Sequence, residues 1–436
     1  MRRDELERLS RDELIELVLK LQHPPKTSRT SSFPPSSDDK SQWEPPPSKE
    51  EQRAKSRPGG AKPGHKGHYR DLCPDPDEVV DHVPEQCSHC LALFGAEAER
   101  ELVSEHDAIE IPPLKPHVRR HRRFALRCDH CRLVSEADLP AEAKGTPFGP
   151  RIHGLAIYLK TQHAFSYQRL SRAFADLFGL SVSEGALMNM FKRASCRFEA
   201  KREEAEALLR RAEIVASDET GLRIEGVGGY HWVFCSGQAV LHTVDFTRAG
   251  AVVRAVMDGH RPQVWLSDRY GAQQGHGLQH QTCLAHLARD VEYAHEAGTD
   301  PLPLRLKLWL ERAFALARDI AGLAPSTRRA KQRALERDID AIVATPTQCS
   351  FAKAVIAKFV RARHQLLTFC AFPGRVEPTN NRCERELRPA VIQRKVTNGY
   401  RANWAARFEA DVRTAISTMR LNGDPPFKAI LATIQA

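Results

Sequence analysis

Residues 212–237 read AEIVASDETGLRIEGVGGYHWVFCSG. The runs EIVASDE and HWVFCSG are short, apolar, rich in β-branched and aromatic residues and divided by glycine turns, which predicts two strands. Working outward, AVLHTVDFT (239–247) predicts a third strand, AGAVVRAVM (249–257) a helix and QVWLSDR (263–269) a fourth strand. Three strands, a helix and another strand form an α/β pattern. Two of these runs close on an acid, Asp218 after IVAS and Asp268 after VWLS. If their strands lie side by side and parallel, both carboxylates emerge at one end of the sheet. Like charges that close are costly unless they hold cations.

A third acid, Glu384, sits in the polar segment PTNNRCERELRP, with Asn380 and Asn381 three to four residues back. Three carboxylates can hold two Mg²⁺ ions about 4 Å apart, the arrangement that drives phosphoryl transfer. From 380 to 407 seven basic residues stand against two acids. Among them are Arg385, Arg388, Arg394 and Lys395, suited to neutralising substrate phosphates. Pro389 should break or bend this helix.

Toward the N-terminus, 150–210 is largely helical. Leu170, Phe174 and Leu177 share one helical face, and a Ser181–Glu184 capping box opens a helix carrying Leu187, Met190 and Phe191. This is compatible with a helix-turn-helix, but without a register of base-reading residues a plain helical hairpin is the preferred reading. Cys87-x-x-Cys90 and Cys128-x-x-Cys131 offer four thiolates for one structural Zn²⁺, with a hairpin or small sheet expected in the gap between them. HVRRHRRFALR (117–127), with Arg119, Arg120, Arg122 and Arg123, reads as a basic strand that tracks phosphates or as a charged edge. RPGGAKPGHKGHYR (57–70) adds Arg57, Lys62 and Lys66 on a glycine-rich arm. Before it lie a short helix at 10–22, with a Ser10–Glu13 capping box, and a Ser/Pro-rich linker.

The whole chain has 436 residues, 41% of them hydrophobic, which excludes wholesale disorder and allows two to four units. Lys plus Arg is 65 against 55 acids, a balance that favours a polyanionic partner. No apolar stretch is long enough to span a bilayer, and the start MRRDELERLSRDEL has no apolar core, so a cytoplasmic, nucleoid-associated protein with no membrane role is expected. Eleven cysteines are too sparse for a disulfide framework, which favours metal ligation for the paired ones.

The segments SDETGLRI, HWVFCSG, WLSDRYGA, HQTCLAHLARD and EPTNNRCERELRPAVIQRKVTNGY resemble the acidic blocks of the IS-sixty-six-type (TnpC-like) DDE transposases of bacterial insertion sequences. The PPSSD segment, RPGGAKPGHKGH and the CxxC region follow one another in the order found in that family. The resemblance implies a multidomain α+β protein with an RNase H-like α/β catalytic core and a helical insertion, preceded by a zinc-binding module and a helical DNA-binding region. It assigns Asp218, Asp268 and Glu384 as catalytic ligands of two Mg²⁺ ions, replaceable by Mn²⁺. It implies cleavage of double-stranded DNA at the element's terminal repeats, then attack of the freed 3′-hydroxyl on target DNA. A homo-oligomer on DNA and small accessory proteins are expected partners. Cys283-x-x-His286 resembles a pair seen in several DDE transposase groups, with core packing plus one hydrogen-bonded histidine as the alternative. The loop GLRIEGVGGY is compact, as in some members only.

The expected organisation is a short helix (1–23), a linker (24–58), the basic arm and zinc module (59–140) and a helical region (141–210). The core follows in two parts, 211–300 and the catalytic-Glu and C-terminal helices (376–436), around a helical insertion (301–375). Two rival functions are a catalytically silent DNA-binding regulator and an RNase H-like nuclease without strand transfer.

Overall fold

A computed structural model describes residues 10–11, 26–27, 30, 70–140 and 144–436. The expected N-terminal helix (beyond Ser10 and Arg11), most of the linker and the basic arm with Arg57, Lys62 and Lys66 lie outside them. The chain divides into two compact units, Lys40–Pro116 and a larger one made of Met1–Asp39 and His117–Ala436.

In the smaller unit, none of the described residues 70–116 is buried. Among these described residues a knuckle forms at Cys87: the Cys87 N–H donates to Ala92 O at 2.8 Å and the Leu91 N–H to Cys87 O at 2.9 Å. Leu91 takes a left-handed conformation, φ 61°. The hairpin or small sheet expected between the two cysteine pairs does not form here, since residues 94–116 carry no strand. Their apolar residues, such as Val103 and Ile111, stay exposed with no second layer to bury them.

In the larger unit, past His117, comes a hairpin of β1 (Ala125–Arg127) and β2 (Val134–Glu136). Its turn is a second knuckle with the same bonds, Cys128 N–H to Leu133 O and Arg132 N–H to Cys128 O, both 2.8 Å. Only three residues of the expected basic strand are strand, so Arg119, Arg120, Arg122 and Arg123 precede it. Two antiparallel partners of three residues leave no register for a longer ladder.

Helices α1 (Pro150–Gln162), α2 (Tyr167–Phe178) and α3 (Glu184–Leu209) follow. The hydroxyl of Ser183, not Ser181, caps α3 by accepting from the Ala186 N–H, so the helix starts on the residue expected to close the capping box. Leu170 and Phe174 are buried as expected, but Leu177 is 63% exposed, one residue from the last of α2. Leu187, Met190 and Phe191 on α3 join Leu170 and Phe174 in a core completed by Phe408, Val412, Ile416 and Ile430. These last four come from α10 (Asn403–Arg420) and α11 (Pro426–Gln435), so the N-terminal helices have no core of their own.

The sheet has five strands among the described residues: β3 (Ile214–Ile224), β4 (Val227–Cys235), β5 (Val240–Asp245), β6 (Val264–Ser267) and β7 (Gln279–Thr282). Their order is β5-β4-β3-β6-β7, with β4 antiparallel to both neighbours and β3, β6 and β7 mutually parallel. The crossover from β5 to β6 is α4 (Gly250–Met257). Four strands and the helix are those the sequence predicts; β7, QHQT, is an addition with no apolar run to announce it. What reads as a compact loop in GLRIEGVGGY is itself ladder, closed by the two-residue turn Glu225-Gly226 with φ 54° and 82°. One face of the sheet buries Val215, Trp232, Phe234 and Trp265 against α4 and the end of α3. Each large side chain so buried contributes about 2–3 kcal/mol. The other face sets Val233, Cys235 and Val240 against Cys383 and Leu387 of α9 (Asn381–Thr397).

Between β7 and α9 run α5 (Leu284–Ala297), α6 (Leu302–Asp319), α7 (Pro325–Val343) and α8 (Ser350–Arg361), which share a core around Trp309 and Phe359 with Val264 and Leu266 of β6. Of the break or bend expected at Pro389, the break does not occur: helix α9 continues through it. The missing N–H frees only the carbonyl of Arg385, an exposed residue, while buried Leu387, Ala390 and Gln393 keep the helix on its seat.

Helix α10 closes the edge strand β5. The Val240 N–H donates to Thr418 Oγ1 at 3.1 Å and the His242 N–H to Thr414 Oγ1 at 2.8 Å, so two threonines one turn apart satisfy an otherwise open edge. At the far end of α9, Tyr400 pairs with Ile224. Gly399 makes that approach possible, because a Cβ on it would lie 2.5 Å from Arg223 O, and its φ is 110°.

Candidate active site

The register of β3 and β6 pairs Ala216 with Leu266. Asp218 and Asp268 each lie two residues further on, so they share one point of the sheet and, by the period of a strand, one face. That face is the one α9 covers. Helix α9 opens at Asn380, whose side chain does not cap the helix but donates from Nδ2 to Ser217 O at 2.8 Å. The Asn380 N–H reaches Cys283 Sγ at 3.2 Å, and the Leu284 N–H reaches Pro378 O at 2.9 Å. The start of the third acid's helix is thereby fastened to β3 and to the start of α5.

Each acid has its own restraint. Asp218 Oδ1 accepts the Glu219 N–H and Asp268 Oδ1 the Tyr270 N–H, both at 2.9 Å. Glu384, in the first turn of α9, accepts from Arg289 Nη2 at 3.2 Å and lies 4.0 Å from His286 Nε2. Burial first, then the charges of Glu219, Asp268 and Glu384, push the Asp218 carboxyl well above the usual range. Burial, then Arg289, lowers His286, while Asp268 and Glu384 oppose that. Among the described residues no three His, Cys, Asp or Glu side chains converge tightly enough to form a ready metal cage.

The supporting residues divide. Cys283 is buried and serves as a hydrogen-bond acceptor, whereas His286, four-fifths buried, faces Glu384. Asn380 is buried; Asn381, the first residue of α9, is exposed. Arg385 and Arg388 are exposed on α9, as is Lys395, but Arg394 turns to the sheet and donates to Gly221 O. In the hairpin region Arg119 and Arg120 are exposed, Arg122 lies over the Phe124 ring, and Arg123 pairs with Glu136 at 2.6 Å. In each knuckle backbone N–H groups lower the first thiol, Cys87 through those of Cys90 and His89, Cys128 through those of Cys131 and His130.

Three residues at the site escape a reading by runs and spacing. Arg289 lies 95 positions from Glu384, and Arg248 lies 29 from Glu219. Glu219 itself is visible beside Asp218, but its side chain is fully buried and bonded to Arg248 and to Gln273.

No curated protein matches the chain. Among solved structures it is similar to the catalytic domain of Mos1 mariner transposase, at 15% identity over 42% of this chain and 95% of that domain, with a TM-score of 0.12. A superposition that loose carries no argument, and the strand order above stands on its own. The family model described as Transposase IS66 family matches residues 145–408, more than half of the chain. That span runs from the helices before the sheet through all three acids into α10, and the chain belongs to the IS66 family of transposases.

Proposed function

We propose that the protein is a DDE-type transposase with an RNase H-like core, in which Asp218, Asp268 and Glu384 carry Mg²⁺-dependent cleavage at insertion-sequence ends and 3′-hydroxyl strand transfer into target DNA. The observation that supports this most is the β3–β6 register that brings the two aspartates together, with Asn380 tying the helix of Glu384 to the residue before Asp218. The donor set suits a hard divalent cation, since its members are carboxylates, and burial first, then neighbouring negative charge, raises Asp218. Two Mg²⁺ ions, or Mn²⁺ in their place, would activate the attacking oxygen and stabilise the leaving one. The chain's own contribution is placement: backbone N–H groups aim both aspartates, and Arg289 sets positive charge against Glu384 with the His286 ring beside it.

Double-stranded DNA is the expected polyanion. Exposed Arg385 and Arg388, within a turn or so of Glu384, suit its backbone phosphates, and the arginines at 119–123 with the basic arm suit the terminal repeats. The cysteine pairs are proposed as ligands of a structural Zn²⁺, on the chemistry of each knuckle within its own unit. A homo-oligomer assembled on DNA, accessory proteins and a cytoplasmic setting belong to the same proposal. Among the described residues no helix is long and apolar enough to cross a membrane.

The decisive experiment compares wild type with Asp218→Asn on a duplex carrying the element's own end, with Mg²⁺ or Mn²⁺. Joined products from wild type and none from the variant are expected. Binding without chemistry in either protein would overturn the reading.

A further inference from the structure

Glu219 follows Asp218 on β3 and therefore points to the opposite face of the sheet. Its side chain is 1% exposed, and both carboxylate oxygens are engaged. Arg248 reaches Oε1 from Nε at 2.7 Å and from Nη2 at 2.6 Å, and Gln273 donates to Oε2 at 2.6 Å. A carboxylate so fully occupied is not a spare ligand beside the acid pair. Its work is to fix Arg248.

Arg248 is held on a second side as well. Its guanidinium lies over the ring of Tyr270, 3.8 Å from the centroid. Tyr270 is two residues past Asp268 and donates its N–H to Asp268 Oδ1, while Gln274 donates to Asp268 O at 3.1 Å. The platform is thus continuous with the backbone that aims the second acid. Arg248 remains 40% exposed, and the Nη1 end of its fork makes no bond to Glu219. A locked guanidinium loses little freedom on meeting a phosphate, and its planar fork matches phosphate oxygens in pairs. A surface arginine kept only for an ion pair would need neither a dry carboxylate nor a stacking ring.

We propose that Arg248, clamped by Glu219 and Tyr270, contacts a DNA backbone phosphate next to the one that is cut and so positions the strand over Asp218 and Asp268. This rests on the proposed transposase reading of the acids.

The test has two readouts. Binding of an element-end duplex is measured across salt concentrations in an Asp218→Asn background, where the DNA stays intact. Cutting is measured in single turnover at saturating duplex in the native background. Arg248→Ala should lower the slope of log affinity against log salt by about one and slow cutting at least about tenfold. Arg248→Lys should restore the slope but only part of the rate, because charge returns without the fork. Tyr270→Leu should keep the slope and lose rate. Each variant is compared at an unchanged melting temperature. An Arg248→Ala protein with native slope and native cutting overturns the proposal. If native protein cuts nothing while Arg248→Ala still lowers the slope, the reading of the acids fails and the phosphate contact stands.

Discussion

Asn380 donates its side-chain amide to the carbonyl of Ser217, so the residue that opens the third acid's helix is bonded to the residue before the first acid. The bond is buried, and the Ser217 side chain is fully inaccessible. Asn380→Ala leaves a buried carbonyl without its donor, which costs about 1–3 kcal/mol. Thermal unfolding should register that loss, and DNA cutting should fall further than stability accounts for. A variant that unfolds early yet cuts at the native rate would separate this bond from the site's geometry.

The raised Asp218 carboxyl makes a statement about pH. A carboxyl whose folded value lies above its unfolded value, about 3.9, favours folding only while protonated. Its contribution is therefore present at low pH and lost as pH climbs through the folded value. In chelator-treated protein Asp218→Asn should melt above wild type at alkaline pH, and the difference should shrink as pH falls toward the unfolded value. An equal difference throughout would remove the burial and repulsion ascribed to this side chain.

Arg388 and Arg394 sit six residues apart on one helix and should behave oppositely. Arg388 is exposed, and its replacement by alanine should weaken duplex binding more at physiological than at low salt, lowering the salt slope by about one. Arg394 donates to Gly221 O on β3, and its replacement should lower the melting temperature first. Salt titrations and melts on the two variants decide between these roles.

Gly399→Ala should be the most damaging small change outside the site. The new methyl would meet Arg223 O at 2.5 Å in a backbone conformation that side chains avoid. Strain alone costs about 1–3 kcal/mol, and the clash adds to it. A melting temperature within a degree of native would contradict the close pairing of Tyr400 with β3.

For the knuckles, Cys128→Ser should reduce bound zinc and solubility together. Metal analysis of purified protein checks this, and an unchanged zinc content in the variant would mean that Cys128 is not a ligand.

The sequence revealed the parts of the fold that are local. The runs ending at Asp218 and Asp268 announced their strands, because a buried strand is apolar, but only Asp268 follows the end of its strand; β3 continues past Asp218 to Ile224. The cap at Ser183 was missed by two positions, since serines at 181 and 183 offer similar hydroxyls and only packing chooses between them. Strand β7 was invisible because its polar residues are satisfied across the chain, Gln281 Oε1 by the Phe369 N–H and Thr282 Oγ1 by Gln365. Pro389 does not break α9 because a helix seated along one face tolerates the loss of a single bond on the other. Arg289 and Arg248 were beyond reach for one reason: partners far apart in sequence are chosen by the finished fold.

The threonine bonds from α10 to β5 span 178 and 172 positions. A ribosome delivers the N-terminus first, at roughly 5–20 residues per second. During synthesis the edge of β5 and the apolar faces of α1, α2 and α3 therefore wait for α10 and α11. Both aspartates are made long before Glu384, and the helix that seals the sheet comes later still. A nascent chain holds two acids without the third until α9 has been made, so under the proposed reading DNA chemistry waits for a helix that follows the whole sheet.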